Sequence, residues 1–394
     1  MREKSDNIKI LSVFGTRPEA IKMAPVVREL ESCSDVDSRV VVTAQHREML
    51  DQVMETFNIK PDYDLEIMRQ GQDLFDVTTA VLNGLKGILQ SERPDMVLVQ
   101  GDTTTTFTGA LAAFYCQIPV GHIEAGLRTY QKYAPFPEEL NRVLTTGVSD
   151  LHFAPTDRSR EALLREGIDS KSVFVTGNTV IDALYQALEK PFAQIPELTR
   201  AFQENKRVIL LTTHRRENLG APLQNIYKAL REVLRSHPDV GVVFPMHKNP
   251  AVRREVNSFL RGVERVYLTE PLDYLPFINV MKMSHIVLTD SGGIQEEAPA
   301  LGKPVLVLRE VTERPEATAF GTARLIGTDP QQVKSEVNLL LDNQDAYLKM
   351  ANAVNPYGDG MAARRIVQAV KSYFGKGEAA VDYNPGKCDE FTIQ

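Results

Sequence analysis

The chain has 394 residues, 25% of them charged and 43% hydrophobic, with a formal net charge of −7. Such a chain can bury its own core without disulfide or metal staples, and its length points to two domains. The negative balance gives no electrostatic ground for a nucleic-acid partner, and no stretch reaches the roughly 18 uncharged apolar residues of a membrane span.

The N-terminal MREKSDN lacks the apolar core of a secretion signal and leads straight into a strand-like run. Buried strands are expected at 8–14, 39–43, 96–99, 120–123 and 151–154, with amphipathic segments between most of them. A second set follows at 208–212, 240–244, 265–268, 286–288 and 305–308. This βαβα alternation argues for two parallel sheets wrapped by helices. Pro191 and Pro196 punctuate the chain near the boundary between them. A last helix is expected over 361–374, with Ile366, Val367, Val370 and Phe374 on one apolar face, and a loosely held polar tail after it. The three cysteines, Cys33, Cys116 and Cys388, make no CxxC pair and no zinc-like spacing. Their pattern counts against a structural metal and fits a reducing cytoplasm.

Open parallel sheets bind ligands at the carboxyl ends of their strands, and the unusual residues of this sequence fall there. Gly15-Thr16-Arg17-Pro18-Glu19 follows the first strand. It offers a sharp glycine turn, a helix N-terminus for an anion, and Arg17 and Lys22 as donors to phosphate oxygens. Its plainer reading is a strand-to-helix turn with surface charges. Asp102 stands in Gly101-Asp102 before four threonines, as a site carboxylate or simply as a helix cap. Glu124 ends a strand between small residues, where buried strands rarely carry a lone acid. Glu138 and Arg142 are four apart on one helix face, as an exposed ion pair would be.

In the second half, His214-Arg215-Arg216 follows the first strand and resembles a phosphate or leaving-group clamp. His247 lies in a proline-bounded turn at the next strand end, equally able to face an anion or to serve the turn. Asp290-Ser291-Gly292-Gly293-Ile294-Gln295-Glu296-Glu297 places a hydroxyl, two glycines and two acids at a helix start. That composite points to nucleotide binding: backbone N–H groups for a phosphate, and an acid for a ribose. At least one of the glutamates is expected to be structural, because acids in a first turn stabilise the helix. Asp35-Val36-Asp37 mimics a metal-holding aspartate pair but is expected in a turn away from these strand ends.

Taken together, GTRPE (15–19), GDTTTT (101–106), HIEAGLRT (122–129), PEELNR (137–142), THRRE (213–217), HKNP (247–250), DSGGIQEE (290–297) and ERPEA (313–317) closely resemble the non-hydrolysing UDP-N-acetylglucosamine 2-epimerases, in the same order along nearly the whole chain. The resemblance implies an α/β protein of two Rossmann-like domains facing across a cleft, the GT-B type. Residues 1–177 with 361–380 would form the N-terminal domain and its returning helix, 178–360 the UDP-binding domain, and 381–394 the tail. It implies a cytoplasmic homodimer that uses no metal and no nicotinamide, supplies polysaccharide precursors, and has UDP-N-acetylglucosamine as its small-molecule partner.

By the same resemblance Asp102, Glu124, Glu138 and His214 match the catalytic cluster, with Arg142 beside it. Arg17 and Lys22 match positions beside the phosphates, and Ser291, Gly292 and Gly293 the phosphate loop. Glu297 matches the ribose acid, Phe277 the position against uracil, and Arg314 and His247 further ligand positions. Two positions depart from the pattern. Leu272 replaces a nucleotide-contacting glutamine, and Gly71 stands where members activated by a second UDP-sugar carry arginine, although Gln72 is kept. The implied reaction is elimination of UDP to 2-acetamidoglucal and re-addition on the opposite face, with domain closure retaining both fragments. A glycosyltransferase of the same architecture is the alternative. A hydrolysing relative and an inactive nucleotide-sugar sensor stand further off.

Overall fold

A computed structural model describes residues 7–44, 47–69, 71–192 and 195–386. It divides into two compact units, residues 1–187 with 357–394, and residues 188–356.

Unit 1 holds strands β1 (Ile8–Phe14), β2 (Val36–Val42), β3 (Tyr63–Asp64), β4 (Met96–Gln100), β5 (Val120–Ile123), β6 (Leu151–Ala154) and β7 (Val173–Val175). They form one sheet in the order β3-β2-β1-β4-β5-β6-β7, parallel throughout. Every residue of β4 is buried, as is nearly all of β1. A run apolar on both faces needs helices on both sides of its sheet, which is why the period-2 alternation of a half-exposed strand is absent here. The strand order reverses between β1 and β4, so the loops after these two strands open a crevice at their carboxyl ends.

Unit 2 repeats the plan with β8 (Arg207–Thr212), β9 (Val240–Pro245), β10 (Val266–Thr269), β11 (Ile286–Thr289), β12 (Val305–Val307) and β13 (Ala323–Leu325), ordered β10-β9-β8-β11-β12-β13. Its reversal lies between β8 and β11. Both units are therefore Rossmann-like, the two building blocks of a GT-B fold. Among the described residues no helix is long and apolar enough to cross a membrane.

The strands unseen in the sequence, β3, β7 and β13, have two or three residues each, too few to show a period. Strand β2 starts at Val36 rather than at residue 39, so Asp37 sits in the sheet and not in a turn. The aspartates there face cations of their own: Asp35 pairs with Lys371 at 2.9 Å and Asp37 with Arg39 at 2.9 Å.

The division of the chain falls after Ala187, not after residue 177. Helix Thr179–Leu188 stays with unit 1 because its buried Asp182 accepts the N–H groups of Ala362 (3.2 Å) and Ala363 (2.8 Å). Those are orphan donors at the start of the returning helix Ala362–Tyr373. That helix packs on Arg17–Ser32 and buries Ile366, Val367 and Val370. The segment just past residue 380 is held rather than loose. Val175 N–H donates to Asp382 Oδ1 at 2.9 Å and Tyr383 N–H to Val175 O at 2.6 Å, which covers the exposed edge of β7. Residues 387–394 lie outside the described residues.

Candidate active site

In unit 1 the loops after β1 and β4 are tied together by Glu19. Its carboxylate accepts the N–H groups of Gly15 (3.0 Å) and Thr16 (2.7 Å) and the hydroxyl of Thr106 (3.0 Å). Burial pushes this carboxyl up, against the pull of its hydrogen bonds to Thr103 and the loop. Gly15 has no room for a side chain, since a Cβ there would lie 1.9 Å from Thr43 Oγ1. Arg17, in the first turn of Arg17–Ser32, is half-buried and has no hydrogen-bond or ion-pair partner among the described residues.

One turn further on, Lys22 Nζ lies 2.6 Å from both carboxylate oxygens of Glu124. Glu124 is buried and has a left-handed backbone, φ +64°. A non-glycine residue adopts that conformation only where its surroundings hold it. Two amides do so here: Gln100 Nε2 donates to Oε2, and Asn178 Nδ2 to Oε1 at 3.0 Å. His122, inside β5, is a structural histidine. Burial brings it down to about 4, so it is neutral, and its Nε2–H donates to Gly101 O at 2.7 Å.

Arg142 reaches Asp102 Oδ2 with Nε (3.0 Å) and Nη2 (2.8 Å), while Asn141 Nδ2 donates to the Asp102 carbonyl at 2.9 Å. These bonds fix helix Glu138–Val148 against the loop after β4. The plainer alternative, an exposed Glu138–Arg142 ion pair, is not what the structure holds. Arg142 instead bonds Glu139 Oε2 at 2.7 Å, because the N–H groups of Thr129 (3.0 Å) and Tyr130 (2.9 Å) draw the Glu139 carboxylate inward. Glu138 is half-buried, with no hydrogen-bond partner among the described residues.

In unit 2 the residues after β8 meet those after β11. Asp290, fully buried, lies 3.0 Å from His214 Nδ1. It also accepts the backbone N–H groups of His214 and Arg215, each at 3.0 Å, and Asn218 Nδ2 at 3.0 Å. Burial alone would raise this carboxyl. The bonds from His214 and Arg215 outweigh it and hold the group below the usual carboxylate range. The His247 ring stacks on His214 with centroids 5.7 Å apart. Burial, then His214, lowers His247.

Gly293 has an ordinary helical φ of −63° and open space where a Cβ would go, and a Cβ on Gly292 would come no nearer than 3.8 Å to any neighbour. The fold itself therefore requires neither glycine. Ser291 beside them is half-buried, its N–H bonded to Thr289 Oγ1 at 2.9 Å. The two acids of the following helix differ: Glu296 is in an ion pair with Arg314, and Glu297 accepts the Tyr274 hydroxyl at 3.2 Å. Phe277 lies half-buried on helix Tyr274–Met283, one turn past Tyr274. Arg314, expected as a ligand contact, is thus engaged by Glu296.

The sequence reading missed Asp290, Glu139, Gln100 and Asn178 as partners of the expected residues. A signal existed for Asp290, a lone acid ending a buried strand. None existed for Asn178, which bonds a residue 54 positions away.

Two Rossmann-like units, each with acids and cations at the carboxyl ends of the strands flanking its reversal, have the form of a nucleotide-sugar enzyme. The family model described as UDP-N-acetylglucosamine 2-epimerase matches residues 28–371. The chain belongs to that family. It is 54% identical over 372 residues to the UDP-N-acetylglucosamine 2-epimerase of Salmonella typhimurium, covering 93% of this chain and 99% of the relative. Identity to the Bacillus subtilis UDP-N-acetylglucosamine 2-epimerase is 52% over 380 residues, covering 96% and 99%. The structure of the Neisseria meningitidis UDP-GlcNAc 2-epimerase bound to UDP-GlcNAc superposes with a TM-score of 0.83 at 52% identity, covering 93% of this chain and 100% of that one.

Proposed function

We propose that the protein interconverts UDP-N-acetylglucosamine and UDP-N-acetylmannosamine by eliminating and re-adding UDP. The carbon-2 proton has no adjacent carbonyl to stabilise a carbanion, so direct inversion there is implausible. In the elimination a carboxylate takes that proton, the carbon-1–oxygen bond breaks with its electron pair left on the β-phosphate, and a carbon-1–carbon-2 double bond forms. Protonation of 2-acetamidoglucal on the opposite face and return of the phosphate oxygen to carbon 1 complete the epimerisation.

One observation carries this reading: two carboxylates on successive strand ends of unit 1, Asp102 and Glu124, each in contact with a cation, Arg142 and Lys22. Carboxylates so placed, each held by a cation, stand beside a substrate that sheds a proton and gains it back. Glu138 adds a third carboxyl. Arg17, Lys22 and His214 take up the charge that develops on departing UDP. Ser291, Gly292 and Gly293 receive the phosphates on backbone N–H groups, in a loop whose glycines the fold does not itself require. Glu297 takes the ribose, Phe277 lies against uracil, and His247 and Arg314 complete the contacts. The free thiols of Cys33 and Cys116 support a cytoplasmic location. A homodimer is supported by Phe114, Tyr115, Leu140, Val143 and Leu144, exposed on two helices packed together.

The test is incubation with UDP-N-acetylglucosamine in deuterium oxide without an acceptor, followed by NMR. UDP-N-acetylmannosamine labelled at carbon 2 is expected. Release of free sugar and UDP, or no reaction until an acceptor is added, overturns it.

A further inference from the structure

Glu124 is held from three places in the chain, and the three donors do different things. Lys22 stands 2.6 Å from each oxygen, so it sets the position of the carboxylate but not its rotation. The plane is set by two amides, one on each oxygen: Gln100 on Oε2 and Asn178 on Oε1.

Asn178 is itself fixed through both its side chain and its main chain. Its Oδ1 accepts Val180 N–H at 3.2 Å, at the start of Thr179–Leu188. That bond decides which way the amide faces and leaves Nδ2 for the carboxylate. Its own N–H donates to Tyr357 O at 2.6 Å, where the chain re-enters unit 1. Gly177 (φ +81°) and Gly358 (φ +147°) let the two backbones touch, since a Cβ on Gly177 would lie 3.2 Å from Gly358 Cα. Asn178 is only 3% exposed, so no solvent replaces its bond.

We propose that Asn178 is a positioning residue, whose amide holds Glu124 in the rotation in which it serves carbon 2 and whose own place is set by the return of the chain at Tyr357–Gly358. This rests on the epimerase reading of Glu124. Withdrawing this donor leaves Gln100 alone to set the plane, so the carboxylate turns toward Gln100 while Lys22 still binds it, and chemistry suffers more than substrate binding.

Two variants separate the donor from the cap. Asn178→Ser keeps an oxygen for Val180 N–H but does not reach Glu124. Asn178→Asp keeps the size and the cap but sets an acceptor against the carboxylate. With UDP-N-acetylglucosamine in deuterium oxide, both are expected to keep KM within about threefold and to lose kcat by about 30-fold or more, the aspartate more than the serine. The melting temperature of the serine variant should stay near that of the wild type, while that of the aspartate variant should fall because two buried carboxylates then face each other. An unchanged kcat in either folded variant overturns the assignment. So does a loss shared equally by kcat, KM and melting temperature in the serine variant, which marks a structural cap only. Failure of the wild type to form carbon-2-labelled product would instead overturn the epimerase reading.

Discussion

His214 Nδ1 lies 3.0 Å from Oδ1 of Asp290, a carboxylate with no exposure that also accepts the backbone N–H of His214 itself. One acid thus fixes both the ring and the main chain of the histidine. An ionised carboxylate only accepts, so Nδ1 carries the proton and Nε2 is left as the acceptor of the neutral ring. The pair joins the ends of β8 and β11, the strands flanking the reversal of unit 2.

Asp290→Asn replaces one acceptor oxygen with a donor. The His214 and Arg215 N–H groups already share Oδ2, so the amide oxygen stays there and the new NH2 takes the place of Oδ1, facing the ring that has lost the partner selecting its tautomer. We expect kcat to fall about 100-fold and the melting temperature to drop, because a buried donor left unpaired costs about 1–3 kcal/mol. The wild-type contribution has a definite sign with pH. The folded carboxyl titrates below its ordinary range, so its stabilisation is present above that range and is lost as pH falls through the folded value. Stability of the two proteins should therefore converge in acid. Equal kcat values would show that His214 needs no orienting acid.

Glu138 and Glu139 are neighbours with opposite expectations. Glu139 holds Thr129, Tyr130 and Arg142, and through Arg142 it steadies Asp102. Glu139→Gln keeps the shape but withdraws charge from a buried ion pair, and should lower the melting temperature as well as activity. Glu138 has no bond among the described residues to lose. Glu138→Gln should leave the melting temperature unchanged while kcat falls about 100-fold or more, the scale of a lost general acid or base. Thermal unfolding beside steady-state kinetics on both variants decides it; a stable, active Glu138→Gln would remove that residue from the chemistry.

What the sequence disclosed, and what it hid, follows from range. Strand ends are local signals: an apolar run, then glycine with an acid or a cation. Gly15, Gly101, Glu124, His214 and Ser291 were legible for that reason. Partnerships are not local. Lys22 meets Glu124 across 102 positions and Asn218 meets Asp290 across 72. The choice between Glu138 and Glu139 turned on two N–H groups in a loop that helix periodicity does not describe. The place of Thr179–Leu188 in unit 1 was hidden for the same reason, since Asp182 bonds residues 180 positions later.

The C-terminal segment makes a similar long-range contact. Tyr383 is 6% exposed, its ring stands 5.2 Å from the Arg365 guanidinium, and its N–H pairs with β7. Tyr383→Ala removes a buried aromatic ring and a cation–π contact and should cost about 3 kcal/mol of stability in urea unfolding. KM and kcat should stay at wild-type values, because Arg365, against which the ring packs, is not a candidate site residue. A loss under about 0.5 kcal/mol, the scale of an ordinary surface change, would mean that the segment does not stabilise unit 1.

Asp182 gives a pH test whose sign opposes that of Asp290. Burial pushes its carboxyl up to about 7, against the pull of the Ala363 and Ala362 N–H groups, and Asp359 adds to the rise. A carboxyl with a folded value above its unfolded one stabilises the protein fully below the unfolded value and loses that effect as pH rises through the folded one. A rise from 3.8 to about 7 corresponds to a loss on the order of 4 kcal/mol across that window. Asp182→Asn cannot titrate. It should be less stable than the wild type at pH 5, where the wild-type carboxyl is protonated, and the gap should close or reverse by pH 8. Buried His122 and His152 and half-buried His285, each lowered to about 4, act the other way over the acid range, but both proteins carry them and they cancel in the difference. Urea unfolding of both proteins at pH 5, 6, 7 and 8 measures that difference. A gap that stays constant with pH would mean that Asp182 caps the returning helix as an ordinary ionised acid.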